Sequence, residues 1–482
     1  MSSFASNVAW ALLPAMATSQ SPQFVTAPLP ASIASAGQRA CLGDIDGDGD
    51  LDLYASQLNF LPTPGLFAND GTGQFTAASN QPPPPSSGQY VPFFFDFDGD
   101  FDLDLFLGYP GPHRLFRNNG GGPWTDVSSL LPPSGWTVQA AAIADFDGDG
   151  DLDIAGTGTS IGGGRNQMLV NGGASGFTSL DAFPGQGLSI VAFDADGDGD
   201  LDLAVGGFTA SLWRNDGGMT FTDVTATQMP ALASTWSVAA GDVDGDGDPD
   251  LVLGVVAGDV LLRNLGGGVF ALVPGALPAA SSTAVTVLVD VDGDSDLDLL
   301  RGSNLAATLA RNDGTGTFTP AANSGFAVPG LAQVLAGDLD RDGDVDLVAL
   351  RFGVGGASAW RNQHRDIDSA GPPVRGQTWN VRVWSQPGYA TTLRPVQLGI
   401  GLARLPQPLL LPPFGDLWLD FAAPVLLAWD LVPVGIDVVS FAFPIPAVPA
   451  IAGVVLHAQA LVGEAPGAAG LRLSSVWSAA IQ

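Results

Sequence analysis

The chain has 482 residues, 46% of them apolar, and a formal net charge of −32 although only 14% are charged. That apolar fraction excludes a disordered acidic tail, and the length calls for two domains or one large repeat array. The acidity argues against nucleic acid as a partner, because phosphate binding rests on neutralisation by Lys and Arg. All 17 basic residues are Arg, and of the 49 acidic residues only Glu464 is not Asp. Asp and Glu differ in reach rather than charge, so an excess made of Asp points to ligand geometry.

Residues 1–20 contain an apolar run, Val8 to Ala17, ending in the small-x-small triplet Ala15-Met16-Ala17. This has the form of a signal-like segment, but the basic region that normally precedes such a run is missing: the first Arg is Arg39. An ordinary N-terminus is the alternative. Cys41 is the single cysteine, so no intramolecular disulfide can form, and a lone Cys in a strand-like run reads as a small buried residue. No membrane span is expected. The long uncharged run from Val438 to Gly463 is broken by Pro444, Pro446 and Pro449.

From Asp44 onward the chain repeats. The first loop carries Asp44, Asp46, Asp48, Asp50 and Asp52; the second Asp96, Asp98, Asp100, Asp102 and Asp104. The third carries Asp145, Asp147, Asp149, Asp151 and Asp153; the fourth Asp194, Asp196, Asp198, Asp200 and Asp202. The fifth carries Asp242, Asp244, Asp246, Asp248 and Asp250; the sixth Asp290, Asp292, Asp294, Asp296 and Asp298; the seventh Asp338, Asp340, Asp342, Asp344 and Asp346. Successive starts lie 52, 49, 49, 48, 48 and 48 residues apart. A second signature follows each loop at Asn69, Asn118, Asn171, Asn215, Asn264, Asn312 and Asn362, as in LARNDGTGTFT from Leu309 to Thr319.

Each unit reads as four strands. A small-residue run such as SVAAGD (Ser237 to Asp242) enters the loop and a run such as LDLAVGG (Leu201 to Gly207) leaves it. A third strand ends at the Asn, and a Gly-rich turn leads to a fourth opening with Phe75, Trp124, Phe177, Phe221, Phe270 or Phe318. Short strands, turn residues and no helical periodicity predict an all-β array, and four strands per period of about 48 predict a seven-bladed β-propeller. An open solenoid is the rival. The seventh unit lacks its fourth strand, whereas the N-terminus holds a spare one at Gln23 to Thr26, with Phe24 in the phase of Phe270 and Phe318. Closing the ring with it would remove an open sheet edge.

Within each loop carboxylates stand at positions 1, 3, 5, 7 and 9, with Gly at position 6 in most copies. Oxygen ligands at 1, 3 and 5, a backbone carbonyl at 7 and a ligand at 9 follow the logic of a Ca²⁺ loop. The bidentate Glu of an EF-hand is absent, so Asp at position 9 is expected to close the shell. Carboxylate oxygens without His or thiolate favour Ca²⁺ over transition metals, and up to seven ions are expected, one per blade. Phe101 and Ser295 replace the position 6 Gly and predict weaker sites; Arg341 replaces Gly at position 4.

The acidic loop, the L-D-L-x-x-G strand and the N-D-G-x-G-x-F turn together resemble the FG-GAP/VCBS repeat family over about residues 21–366. Such Ca²⁺-loop propellers occur in integrin α-chain heads, a mushroom lectin and many secreted bacterial proteins. The resemblance implies a seven-bladed propeller with Ca²⁺ held by positions 1, 3, 5 and 9 and the position 7 carbonyl. It says little of function, since propellers serve adhesion, sugar binding and catalysis alike.

After a Pro/Gly-rich linker (residues 367–376), residues 377–482 form strand-like runs between Pro/Gly turns, read as a β-sandwich module. From Gly371 on the formal charge is zero, so all of the −32 belongs to the first 370 residues. His113, His364 and His457 are scattered and suggest no metal site. Gly158 to Gly162 matches G-x-S-x-G but lies in a Gly-rich turn rather than a strand-to-helix elbow. Arg117, Arg214, Arg263, Arg311 and Arg361 recur before the repeat Asn and are expected to pair with blade carboxylates, with sugar or anion contact as the other reading. Trp213 and Trp360 are expected as blade aromatics, sugar stacking being the alternative. The function expected is a secreted, non-enzymatic calcium-binding module for carbohydrate or a cell-surface protein. A polysaccharide lyase or hydrolase, or a purely structural surface or matrix protein, are the alternatives.

Overall fold

The computed structural model describes residues 24–481 with interruptions. Outside the description lie 1–23, 28, 31–38, 57–64, 84–89, 109–111, 134–135, 159–164, 280–282, 292–295, 304–305, 322–323, 325, 327, 341–343, 352–355, 363–366, 370–372, 385–393, 403, 411–415, 420–424, 433–437, 446, 448–453, 464–470, 474–476 and 482. The signal-like segment, most of the G-x-S-x-G match, Ser295, Arg341 and His364 therefore fall outside it, as do Asp292, Asp294 and Asp342.

Seven four-stranded antiparallel sheets form the blades of a β-propeller. Blade 1 is built from Arg39–Gly43, Asp52–Ser56, Gly65–Asn69 and Phe75–Ala77, paired in that order. Blades 2 to 6 repeat this order between residues 91 and 320. Blade 7 takes Leu331–Gly337, Asp346–Arg351 and Ala357–Asn362 from its own unit, and its fourth strand is Phe24–Ala27. The register sets Phe24 opposite Asn362, the pairing that Phe75 makes with Asn69 and Phe318 with Asn312. The N-terminal strand thus closes the ring in the phase that the sequence predicts.

Burial explains the strand types. The second strand of a blade, such as Asp104–Gly108 or Asp298–Gly302, is buried at every residue apart from the terminal Arg351 of blade 7, because a blade lies on each side of it. These strands accordingly read as continuous apolar runs rather than alternating ones. The fourth strand is exposed apart from its opening aromatic residue, as in Phe75–Ala77. Among the described residues helix is confined to single turns such as Thr225–Gln228.

Seven apolar clusters each straddle one seam between neighbouring blades. In each, the residue at loop position 2 of one blade shares the cluster with the opening aromatic residue of the next blade's fourth strand. Ile45 meets Trp124, Phe97 meets Phe177, and Val243 meets Phe318. At closure Val291 meets Phe24 and Leu339 meets Phe75. Cys41 is buried in one such cluster.

Beyond the ring, the C-terminal segment forms three small sheets. Ile367–Ser369, Thr378–Trp384 and Val438–Pro444 make the first. Val425–Val432, Arg394–Gly401, Val455–Gly463, Leu471–Leu473 and Trp477–Ala480 make the second, and Arg404–Leu410 with Asp416–Leu419 the third. One apolar cluster draws on both larger sheets, with Val381 and Val383 from the first and Leu398 and Ala458 from the second.

Candidate metal centres in the blade loops

Each acidic loop joins the first and second strands of its blade. In the first five loops the position 1 carboxylate organises the turn by accepting two or three backbone N–H groups. Asp44 accepts from Gly47 and Gly49, and Asp242 from Gly245 and Gly247, all at 2.8–2.9 Å. The position 5 carboxylate accepts the N–H of position 7, as Asp48 does from Asp50 at 2.9 Å. Loop 2 follows the same path although Phe101 replaces Gly: its N–H still reaches Asp96 Oδ2 at 2.9 Å, with φ at 70°.

Position 9 opens the second strand and is buried in all seven blades. Its two oxygens accept two backbone N–H groups, one from loop position 2 and one from the repeat Asn. Asp202 takes these from Ala195 and Asn215 at 2.9 and 2.7 Å. Burial outweighs these bonds and pushes the carboxyls of Asp52, Asp153, Asp202 and Asp250 up to about 6 and that of Asp104 up to about 7. Position 3 is also raised, in Asp46, Asp98, Asp147, Asp196 and Asp244, chiefly by burial with neighbouring carboxylates adding to it.

These carboxylates converge. One oxygen from each of three side chains lies within 4.8 Å of the others in Asp44, Asp46 and Asp48, in Asp242, Asp244 and Asp246, and in Asp96, Asp98 and Asp104. Asp145, Asp147 and Asp153, and Asp194, Asp196 and Asp202, form the same arrangement. Positions 1 and 3 recur in every one of these groups, with 5 or 9 as the third. At position 3, Asp196 Oδ1, Asp244 Oδ1 and Asp340 Oδ1 are buried with no hydrogen bond of good geometry from the described residues, although the backbone N–H two residues on approaches the carboxylates of Asp196 and Asp244. A buried, unpaired carboxylate oxygen is costly, and a hard cation is a partner that satisfies it. The donor set is all oxygen, so the residues present fit such an ion.

An FG-GAP-like repeat model matches residues 44–107, 96–156, 208–253 and 290–349. The chain carries FG-GAP-like repeats. The same loop geometry extends beyond the matched stretches, since the loop at Asp194 has the hydrogen bonds of its neighbours. No curated protein matches the chain. A solved structure described as the structural basis of specific recognition of non-reducing terminal N-acetylglucosamine by an Agrocybe aegerita lectin is 16% identical. The likeness covers 78% of this chain and 92% of that chain, with a TM-score of 0.41.

The Asn of each repeat unit has a role that sequence reasoning missed. Its side-chain amide donates to the backbone carbonyl of loop position 2 in the preceding blade. Asn118 reaches Ile45, Asn171 reaches Phe97, Asn215 reaches Phe146, Asn264 reaches Ala195 and Asn312 reaches Val243, at 2.7–3.0 Å. Asn362 reaches Val291 at 2.6 Å, and Asn69 closes the circle on Leu339 at 2.8 Å. The seven Asn residues are therefore latches across all seven seams, placed directly beside the acidic loops.

The remaining candidates sort by burial. Trp213 and Trp360 are buried, with each indole N–H donating to a nearby serine hydroxyl, so neither offers a ring to a sugar. His113 is buried between Phe106 and Trp136, and burial pushes its imidazole down to about 4. Arg117, Arg263 and Arg361 pair with the position 3 carboxylates Asp98, Asp244 and Asp340, whereas Arg214 pairs with Asp216.

Proposed function

We propose that the protein is an extracellular, calcium-stabilised binding module whose ligand is a carbohydrate or a cell-surface protein. The observation that carries the calcium reading is the repeated convergence of three carboxylates, with position 3 oxygens buried and lacking a hydrogen bond of good geometry. Flexible all-oxygen coordination suits Ca²⁺ better than Mg²⁺. Seven divalent ions would reduce the formal charge from −32 to −18. Sites of this kind in extracellular modules bind at roughly 10⁻⁴ to 10⁻³ M, which suits a compartment with millimolar calcium. The C-terminal module reads as a β-sandwich on the strength of its shared apolar cluster. A binding role rather than catalysis fits a chain with no Lys, a single Glu and three scattered His, in which acid–base work would fall to the Asp residues of the loops.

A glycan array with and without EGTA, run beside turnover assays on the same polysaccharides, tests the reading. Calcium-dependent binding without turnover is expected. Turnover by purified protein, abolished by substitution of a surface residue, would replace the binding role with an enzymatic one. Isothermal titration of demetallated protein should show several calcium sites; no heat and an unchanged melting temperature would remove the calcium reading.

A further inference from the structure

Two of the repeat arginines reach beyond their own blade. The Arg263 guanidinium pairs through Nε with Asp244 Oδ2 at 2.7 Å, at position 3 of loop 5. Its Nη2 also donates to the Thr315 carbonyl at 2.8 Å, in the glycine turn of blade 6. Arg361 repeats the arrangement across the closing seam. It pairs with Asp340 Oδ2 at 3.5 Å and donates to the Thr72 carbonyl in the glycine turn of blade 1. Both turns pass close to the Arg: a Cβ on Gly316 would stand 2.7 Å from Arg263 Nη2 and one on Gly73 3.2 Å from Arg361, and both glycines are held at positive φ, which the turn itself requires. In both loops the other carboxylate oxygen, Asp244 Oδ1 or Asp340 Oδ1, is buried with no hydrogen bond of good geometry from the described residues, and the Arg Nε meets Oδ2 as an ion pair rather than a hydrogen bond.

We propose that Arg263 and Arg361 are positioning residues. Each holds Oδ2 of the position 3 carboxylate so that Oδ1 faces a calcium ion, and each ties that ion to the seam with the next blade. The proposal rests on the calcium reading above. Outer partners that fix a ligating carboxylate commonly contribute 10–100-fold in metal affinity. A positive charge acting only through Coulomb's law would weaken cation binding instead. The two roles therefore predict opposite signs when the Arg is removed. Blades 1 and 3 carry Ala68 and Val170 at the equivalent place and lack this device.

Calcium titration calorimetry on the full chain separates them, using wild type, Arg263→Gln, Asp244→Asn and the double variant. Failure of wild type to bind calcium would defeat the calcium reading itself. With wild-type binding intact, Arg263→Gln is expected to weaken one site by about tenfold. The double variant should then bind no worse than Asp244→Asn, because the Arg acts through that carboxylate. Unchanged or tighter binding in Arg263→Gln, or a further loss in the double variant, overturns the positioning role and leaves the calcium reading standing. Should Arg263→Gln fail to fold, Arg263→Lys keeps the charge but not the planar fork that spans both partners. It is judged by the same sign.

Discussion

The propeller and the C-terminal segment solve the same problem, joining β-sheets, with different chemistry. All of the net charge lies in the first 370 residues, and the segment from Gly371 on is neutral. In the propeller, every seam combines an apolar cluster with an Asn latch beside an acidic loop. In the C-terminal segment, the two larger sheets share one apolar cluster built from residues such as Val381, Leu398 and Phe441. Polar latches are specific but carry buried acceptors and like charges with them, and an ion can then bear part of the stability. An apolar cluster has no such dependence.

Metal removal should expose that difference most strongly. A site of ~10⁻⁴ M at about 1 mM calcium contributes about 1.4 kcal/mol, so seven would contribute ~10 kcal/mol. Chelation should therefore speed hydrogen exchange throughout the blades and leave peptides from Thr378–Trp384 and Val455–Gly463 unchanged. Equal effects in both regions would end the contrast. The metal-free propeller should also prefer acid. Burial pushes the carboxyls of Asp52, Asp153, Asp202 and Asp250 up to about 6 and that of Asp104 up to about 7 in the folded chain, against about 4 in an unfolded one. The folded state then holds more protons between about pH 4 and 7, so stability is lost as pH rises through that window. Calcium needs the ionised carboxylates and should flatten or reverse the trend. Melting curves at pH 4.5 and 7.5, with EDTA and with calcium, measure the signs.

Ring closure is the next largest effect. Phe24 is buried in the cluster that holds Val291 and Trp360, and it supplies the strand that blade 7 lacks. Phe24→Ala should cost about 3–5 kcal/mol by denaturant unfolding. A loss below 1 kcal/mol would mean that the ring does not depend on this strand. The latches come below that. Asn264→Ala would strip the Ala195 carbonyl of its donor, and an unsatisfied buried group costs about 1–3 kcal/mol. The same substitution at Asn69 should cost a similar amount, since its bond to Leu339 spans the closing seam with the same geometry.

Which of these features the sequence reveals depends on where the partners lie. The loops, the strand order and the phase of Phe24 are local or periodic, so counting along the chain finds them. The latch is periodic but not local. Asn215 and its acceptor Phe146 are 69 residues apart, and Asn69 and Leu339 are 270 apart. The repeat shows that an Asn is required at that place but not what it bonds. Position 9 is a similar case. Its carboxylate looks like one more ligand in a row of five, yet it is also the acceptor that joins loop, second strand and latch. The C-terminal segment has no repeat against which a pattern could be checked, and its strands emerge only as apolar runs between turns.

Loop 2 sets the smallest and most pointed test of how far the loop path is fixed by its hydrogen bonds. The sequence predicts a weaker site there because Phe101 stands where a turn wants Gly. The structure shows the path preserved: Gly99 and Phe101 N–H groups both reach Asp96, and Asp96, Asp98 and Asp104 still converge. The strain falls on Phe101, which is held at φ 70° with 95% of its surface exposed. A left-handed conformation costs an L-residue about 1–2 kcal/mol, and glycine escapes that cost while losing more chain entropy on folding. Phe101→Gly should therefore stabilise the metal-free protein by up to about 1 kcal/mol, read as a shift in the denaturation midpoint. Calcium affinity at this loop should change little, because the ligands are already in place. A large gain in affinity would show instead that the side chain, and not the backbone, limits the site.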